Sequence, residues 1–328
     1  MKRIAIIGEC MIELNGAPFG TMEQAYGGDS LNTAVYMART AGQSVAVDYI
    51  SALGSDTISD GMLKRWQEEG VCTDYVQRDP DRQPGLYLIQ LDEQGERTFL
   101  YWRNQSAARF LLQHPGFAKI ETHLHSVDMV YVSGISLAIL PPADRQRLIQ
   151  LLAKLHGKGI EIAFDSNYRP ALWLGGKEAQ ECYRQLLRIT NLALVTDDDE
   201  QALWGDHNTD ETIKRLQRSG VGKVVLKMGA KGCQYVNFAT SESEHVATTP
   251  VLKVVDTTSA GDSFNAGFLA GYLTGLSPRE AALQGHKLAG VVIQHKGAII
   301  PASVTQSINF NTTSNSTNSC HSTKEATQ

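Results

Sequence analysis

A run of small residues, Asp256-Thr257-Thr258-Ser259-Ala260-Gly261-Asp262, stands directly ahead of a stretch that reads as helix from about Ala260 to Tyr272. Ser259, Ala260 and Gly261 carry almost no side chain, so a ligand can approach the backbone closely. A helix opening there exposes unpaired N–H groups and the positive end of its dipole. Together they form a site for an anion, above all a phosphate. Asp262 lies in the same turn. It either caps the helix and complements its dipole, or it takes a proton from an alcohol while the anion hole holds the phosphoryl group that the alcohol attacks.

Other clusters carry usable chemistry. Tyr26-Gly27-Gly28-Asp29-Ser30-Leu31-Asn32 joins two glycines to a polar turn and a helix start. It is either a tight turn with Asp29 or Ser30 as cap, or a place where backbone closely approaches a small ligand. Asn167-Tyr168-Arg169 follows an apolar run, and Arg169 either reaches a central crevice or makes a surface ion pair. Thr196-Asp197-Asp198-Asp199-Glu200 is at least an acidic helix start. Lys227-Met228-Gly229-Ala230-Lys231-Gly232 is at least a tight turn between strands. Glu9, just past a first apolar run, either lines a pocket or ends a strand in solvent.

The elements that position these residues alternate. Arg3–Gly8, Ala46–Leu53, Val71–Val76, Val127–Ser133, Gly159–Asp165, Asn191–Val195 and Lys223–Lys227 read as strands. Helices are expected over residues 29–41, 57–69, 143–156, 177–189 and 278–295, the last with Ser277 as cap and Pro278 in its first turn. Gly134-Ile135-Ser136 and Pro141-Pro142 follow the strand Val127–Ser133. Strand–helix alternation signals a mostly parallel sheet with right-handed crossovers. Residues 85–91 and 96–103 instead read as a hairpin turning at Asp92-Glu93-Gln94-Gly95. A period of two puts Tyr101 and Arg103 on one face and Trp102 on the other, with Tyr87 one strand back.

Composition narrows the class. With 328 residues, 42% of them hydrophobic, the chain can build a large core. A net charge of −5 without a basic stripe argues against nucleic acid as a partner. No apolar run approaches the roughly 20 residues that span a bilayer, and the N-terminal apolar run is too short for a signal peptide. The five scattered cysteines show no metal-binding spacing and fit reduced thiols in a cytoplasmic protein. From residue 305 to 328 the chain is rich in Ser, Thr and Asn and reads as a disordered tail.

D-T-T-S-A-G-D-x-x-x-A-G-F over residues 256–268 and G-G-x-x-x-N-x-A over residues 27–34 resemble the two signatures of the ribokinase-like (PfkB) carbohydrate kinases, in the right order. The likeness covers about residues 3 to 302. Within that family, Gly28 to Asn32, Tyr101-Trp102-Arg103 and Asn167-Tyr168-Arg169 resemble the branch that acts on 2-keto-3-deoxygluconate. The resemblance implies an α/β fold: a three-layer α/β/α kinase domain over residues 1–304 with a mostly parallel sheet and a small β-sheet lid from about 12–27 and 85–103. It implies Asp262 as catalytic base. Gly28, Asp29, Ser30, Leu31, Asn32, Tyr87, Tyr101, Trp102, Arg103, Arg169 and Asp262 are the implied substrate contacts. ATP is implied at Asn167, Tyr168, Arg169, Lys227, Met228, Gly229, Ala230, Lys231, Gly232, Ser259, Ala260, Gly261 and Asp262. Mg²⁺ is implied near Asp199 and Glu200, mostly through water, although the family's N-x-x-E is here Thr196-x-x-Asp199. Many relatives have Gly where this chain has Ser259.

Two arginines in one pocket favour a sugar acid, because guanidinium offers a planar donor pair to a carboxylate. The expected partners are therefore a sugar acid and ATP, with homo-oligomers as a further expectation from lids that pair. The rival expectations are a kinase of neutral sugars such as fructose and a non-catalytic sensor on the same fold.

Overall fold

The computed structural model describes residues 1–91 and 97–308. Nine strands form the main sheet: β1 (Lys2–Ile7), β4 (Val45–Gly54), β5 (Val76–Asp79), β8 (Met129–Ser133), β9 (Glu161–Asp165), β10 (Leu192–Thr196), β11 (Lys223–Lys227), β12 (Cys233–Asn237) and β13 (Glu242–Val246). Their order is β13-β12-β11-β10-β9-β8-β1-β4-β5. Every pairing from β5 to β11 is parallel, and only the β11–β12 and β12–β13 pairings are antiparallel. The inner strands are apolar on both faces, as a sheet covered on both sides requires. In β1, Ala5 and Ile7 enter one core beneath helices Phe117–Leu124, Pro142–His156 and Gly176–Leu187. Ile4 and Ile6 enter a second core beneath helices Asp29–Ala41, Thr57–Glu68, Ala260–Leu273 and Pro278–Val292. That alternation makes the three layers.

Four more strands form a small separate sheet in the order β3-β2-β6-β7. They are β2 (Met11–Gly16), β3 (Met22–Gly27), β6 (Leu86–Leu91) and β7 (Arg97–Trp102). β2–β3 and β6–β7 pair antiparallel, and β2–β6 pair parallel, joining two distant excursions of the chain. Tyr87 and Tyr101 face each other across β6 and β7. The expected turn at Asp92-Glu93-Gln94-Gly95 lies outside the described residues.

Two expectations change, and one segment left open takes a definite form. Residues 71–75 are not a strand: the backbone there makes a single bridge, Asp48 to Cys72, and β5 begins only at Val76. Val71 is buried but Asp74 is exposed, so the segment lacks a continuous apolar run. Gly134-Ile135-Ser136 forms a short helix (Gly134–Ala138) because Ser133 and Ser136 cap each other's backbone amides. The folded chain also passes residue 305. Helix Ala302–Gln306 buries Thr305, and Arg39 reaches both the Ile300 carbonyl (2.8 Å) and Thr305 Oγ1 (3.4 Å). The rest of the expected tail, from 309 on, lies outside the described residues. Cys10, Cys72, Cys182 and Cys233 are free thiols. Among the described residues no helix is long and apolar enough to cross a membrane.

Candidate active site

A cavity of about 870 Å³ opens at the carboxyl ends of the central strands, between the main sheet and the small one. Open α/β sheets bind ligands at this end. Gly28, Asp29 and Asn32 enter from the start of helix Asp29–Ala41. Only glycine fits at 28, since a Cβ there would sit 2.2 Å from the Glu9 carbonyl oxygen. Tyr87, Phe99 and Tyr101 form the roof, and Asp165, Asn167 and Arg169 come from the end of β9 and the loop after it. Ser259 to Asp262 lie at the centre. The far half is lined by Lys227, Gly229, Ala230 and Gly232, by 248–251, and by Phe264, His286, Ala289, Gly290 and Ile293.

The centre is built around acids. Asn32 Nδ2 donates to Asp262 Oδ2 at 2.8 Å, tying the Gly-Gly turn to the small-residue run 230 positions away. Asn167, at φ +28°, donates to Asp29 Oδ2 at 2.8 Å. Lys227 Nζ lies 3.4 Å from Asp165 Oδ1 and 3.0 Å from Asn265 Oδ1, and Asn265 Nδ2 donates to Asp165 Oδ2 at 2.8 Å. Burial, then the charges of Asp29 and Asp165, push the Asp262 carboxyl up to about 7, against the pull of Asn32 and Lys227. Burial also raises Asp29, although Ser133 and Asn167 hydrogen-bond its charged form. A carboxyl that titrates near neutrality in a cleft is poised to accept a proton.

The anion hole is narrower than expected. The Ala260 amide already donates to the Thr257 carbonyl at 3.1 Å, so Gly261 and Asp262 supply the open amides of the first turn. Ser259 stands at φ +64° with its Oγ buried and unpartnered. That left-handed backbone explains why glycine suits this position.

Several expected contacts do not reach the cavity. Ser30 and Leu31 are fully buried in the helix, with Ser30 Oγ bonded to the Tyr49 hydroxyl at 3.0 Å. Trp102 is 58% exposed and lies outside the cavity lining. Tyr168 packs in the first core, and Met228 is packed against the same core. Lys231 is exposed, and its carbonyl accepts from His245 at 2.8 Å. Glu200 is fully committed elsewhere: it is buried and accepts from Arg215, which also binds Asp206 at 2.6 Å. A helix turns its consecutive residues to different faces, so Asp198 and Asp199 line the cavity and Glu200 does not. Arg169 does face the cavity, half exposed, 3.4 Å from Asp199. Arg103 does not: it is paired with Glu9. Tyr87 donates its hydroxyl to Glu13, and burial together with that carboxylate raises its pKa.

Other residues in or beside the cavity carry no signature in the sequence. Phe99 lies two residues before Tyr101, and the same strand period reaches it. Asp165 and Asn265 sit inside segments already singled out, but nothing local marks them as partners of Lys227. His286 and residues 248–251 meet only through the tertiary fold.

A carbohydrate kinase is the class this fold and site define. Residues 1–305 match the description pfkB family carbohydrate kinase, and the chain belongs to that family. The protein named 2-dehydro-3-deoxygluconokinase in Haemophilus influenzae is 58% identical over 301 residues, covering 92% of this chain and 96% of that one. Its namesake in Escherichia coli K12 is 48% identical over 305 residues, covering 92% and 97%. In fold, the chain is similar to the crystal structure of aminoimidazole riboside kinase from Salmonella enterica, solved with aminoimidazole riboside and an ATP analog. There the TM-score is 0.76 at 20% identity, covering 93% of this chain and 96% of that one.

Proposed function

We propose that the chain transfers the γ-phosphoryl group of ATP to the terminal hydroxyl of 2-dehydro-3-deoxy-D-gluconate, giving the 6-phosphate and ADP. The observation that carries the reading is Asp262: a half-buried carboxyl raised to about 7, in the first turn of a helix whose Gly261 and Asp262 amides are open. Two relatives named for this activity, at 58% and 48% identity over nearly their whole length, support the substrate.

In this mechanism the sugar lies between Gly28, Asp29 and Asn32 below and Tyr87 and Tyr101 above, with Arg169 beside its acid end. Asp262 takes the proton of the attacking hydroxyl. The open amides of Gly261 and Asp262 stabilise charge on the group in flight. The nucleotide occupies the half lined by Gly229, Ala230, Gly232 and His286. The donor set fits Mg²⁺ only as a partner of the nucleotide's phosphates: Asp165, Asp198 and Asp199 offer hard oxygens, but among the described residues no three metal-binding side chains converge. Bound there, Mg²⁺ would supply charge neutralisation on the phosphates. Closure of the small sheet over the sugar keeps water from the phosphoryl group.

The test is ATP-dependent ADP release from purified protein with 2-keto-3-deoxygluconate, gluconate, fructose and ribose. Strong preference for the first is expected, and preference for fructose or ribose overturns the sugar-acid assignment.

A further inference from the structure

Asn265 stands one helical turn after Asp262, fully buried and outside the cavity lining, so it meets no ligand. Its side-chain amide is fully used. Oδ1 accepts from Lys227 Nζ at 3.0 Å, and Nδ2 donates to Asp165 Oδ2 at 2.8 Å and to the Tyr131 hydroxyl at 3.3 Å. Turned over, the amide would set its N–H groups against the ammonium and its oxygen against the carboxylate. The two charges therefore fix its orientation.

Lys227 and Asp165 are both buried and opposite in charge, yet Nζ stays 3.4 Å from Asp165 Oδ1. Charged contacts of this kind ordinarily close to about 2.8 Å. The Asn265 amide bridges the two groups and holds them apart. The ammonium stands instead against the start of helix Ala260–Leu273, where a Cβ on Gly261 would lie 3.6 Å from Nζ. Gly261 supplies one of the open amides of the anion hole. Of the three ammonium N–H groups, Asn265 takes one and Asp165 loosely takes a second. The remaining one has no partner among the described residues, and Lys227 lines the cavity.

We infer that Asn265 is a positioning residue for phosphoryl transfer: it keeps Lys227 off Asp165 and beside the open amides of Gly261 and Asp262, where the ammonium meets the charge on the transferring group. The inference rests on the phosphoryl-transfer reading above and holds for any acceptor sugar. Asn265 never touches substrate; it acts through Lys227. A direct Lys227–Asp165 pair would spend the positive charge on the protein's own carboxylate.

The experiment measures kcat and KM by ADP release, and melting temperature, for wild type, Asn265→Leu, Lys227→Met and the double variant, with the sugar that wild type prefers. Leucine shares the branched outline of asparagine without its hydrogen bonds, and lets Lys227 close on Asp165. Asn265→Leu is expected to lower kcat about 10- to 100-fold, the worth of one charged hydrogen bond, while the sugar KM moves less than about twofold. In the Lys227→Met background the same change alters kcat less than about twofold. An unchanged kcat, a loss expressed only in the sugar KM, or a loss of equal size without Lys227 overturns the inference. Asn265→Asp keeps the outline and covers the case in which the leucine variant does not fold. Facing Asp165, the new carboxyl holds a proton at low pH and then donates and accepts as the amide does; once ionised, it takes the ammonium for itself. Its kcat relative to wild type is expected to fall about 10-fold between about pH 6 and pH 9, and a ratio that does not change with pH overturns the inference. Wild type that releases no ADP with any sugar overturns the functional reading, and the inference with it.

Discussion

Replacing Asp262 by Asn should slow turnover by orders of magnitude and stabilise the fold. The Asp262 carboxyl is half-buried within the fields of the Asp29 and Asp165 charges, with Lys227 the compensating cation. Raising a carboxyl from 3.8 to about 7 corresponds to ~4 kcal/mol at about 1.36 kcal/mol per pH unit. The sign follows from proton binding. Between about pH 4 and pH 7 the folded chain keeps a proton that the unfolded chain has released. Stability therefore falls as pH rises through that window and levels off above it. Asparagine removes the charge and still offers Asn32 an oxygen acceptor. Part of the penalty is shared with Asp29, so the recoverable amount at pH 8 is on the order of 2–4 kcal/mol. At ~2 °C per kcal/mol for a chain of this size, the melting temperature rises by about 5 °C. Thermal unfolding of both proteins from pH 5 to pH 8.5 measures it, beside a coupled ADP assay. The advantage of Asp262→Asn should grow with pH and then level off, while kcat falls by about 10²–10⁴. A pH-independent difference, or a variant less stable than wild type at pH 8, would refute the picture of Asp262 as an acid held among acids.

Two further outcomes follow from the same centre. Lys227→Met removes the ammonium that pulls Asp262 down, so the acid limb of kcat/KM moves to higher pH. The variant also melts lower, because Asp165 loses its buried partner; an unmoved limb excludes Lys227 as a charge partner of the base. Ser259→Gly relieves the left-handed backbone and should raise stability by ~1 kcal/mol. Denaturant unfolding measures it, and a loss of stability would show that the Ser259 side chain does more than tolerate its place.

The layers of the fold were legible because local pattern and tertiary demand agree. The apolar runs of β1 and β8 to β11 need helices on both faces, and the helix starts carry their own punctuation. Ser277 with Glu280 forms the capping box that the local sequence announces. The expected strand Val71–Val76 misled because valine at both ends suggests a strand that exposed Asp74 interrupts. At the site, Asp262, Gly28, Asp29 and Asn32 could be placed on the cavity from motif because each lies at the start of its own helix. Glu200 and Arg103 could not be resolved that way. Their partners, Arg215 and Glu9, lie 15 and 94 positions away, and only the folded chain decides whether a charge faces the cavity or a protein counter-ion. Lys227, Asp165 and Asn265 belong to the same case.

The small sheet is stitched from two excursions by the parallel contact of β2 with β6, which brings Glu13 and Tyr87 together across 74 positions. Neither excursion completes a sheet alone. Helix Asp29–Ala41, β4, helix Thr57–Glu68 and β5 lie between them in the chain and pack on the main sheet. High loop-closure cost therefore makes the roof of the site a late event in folding. As a small sheet joined to the rest by few strands, it is expected to exchange its amides with solvent before β1 and β8 in a hydrogen-exchange experiment. The chain thus assembles a rigid floor that carries Asp262 first, and acquires the means to enclose a sugar last.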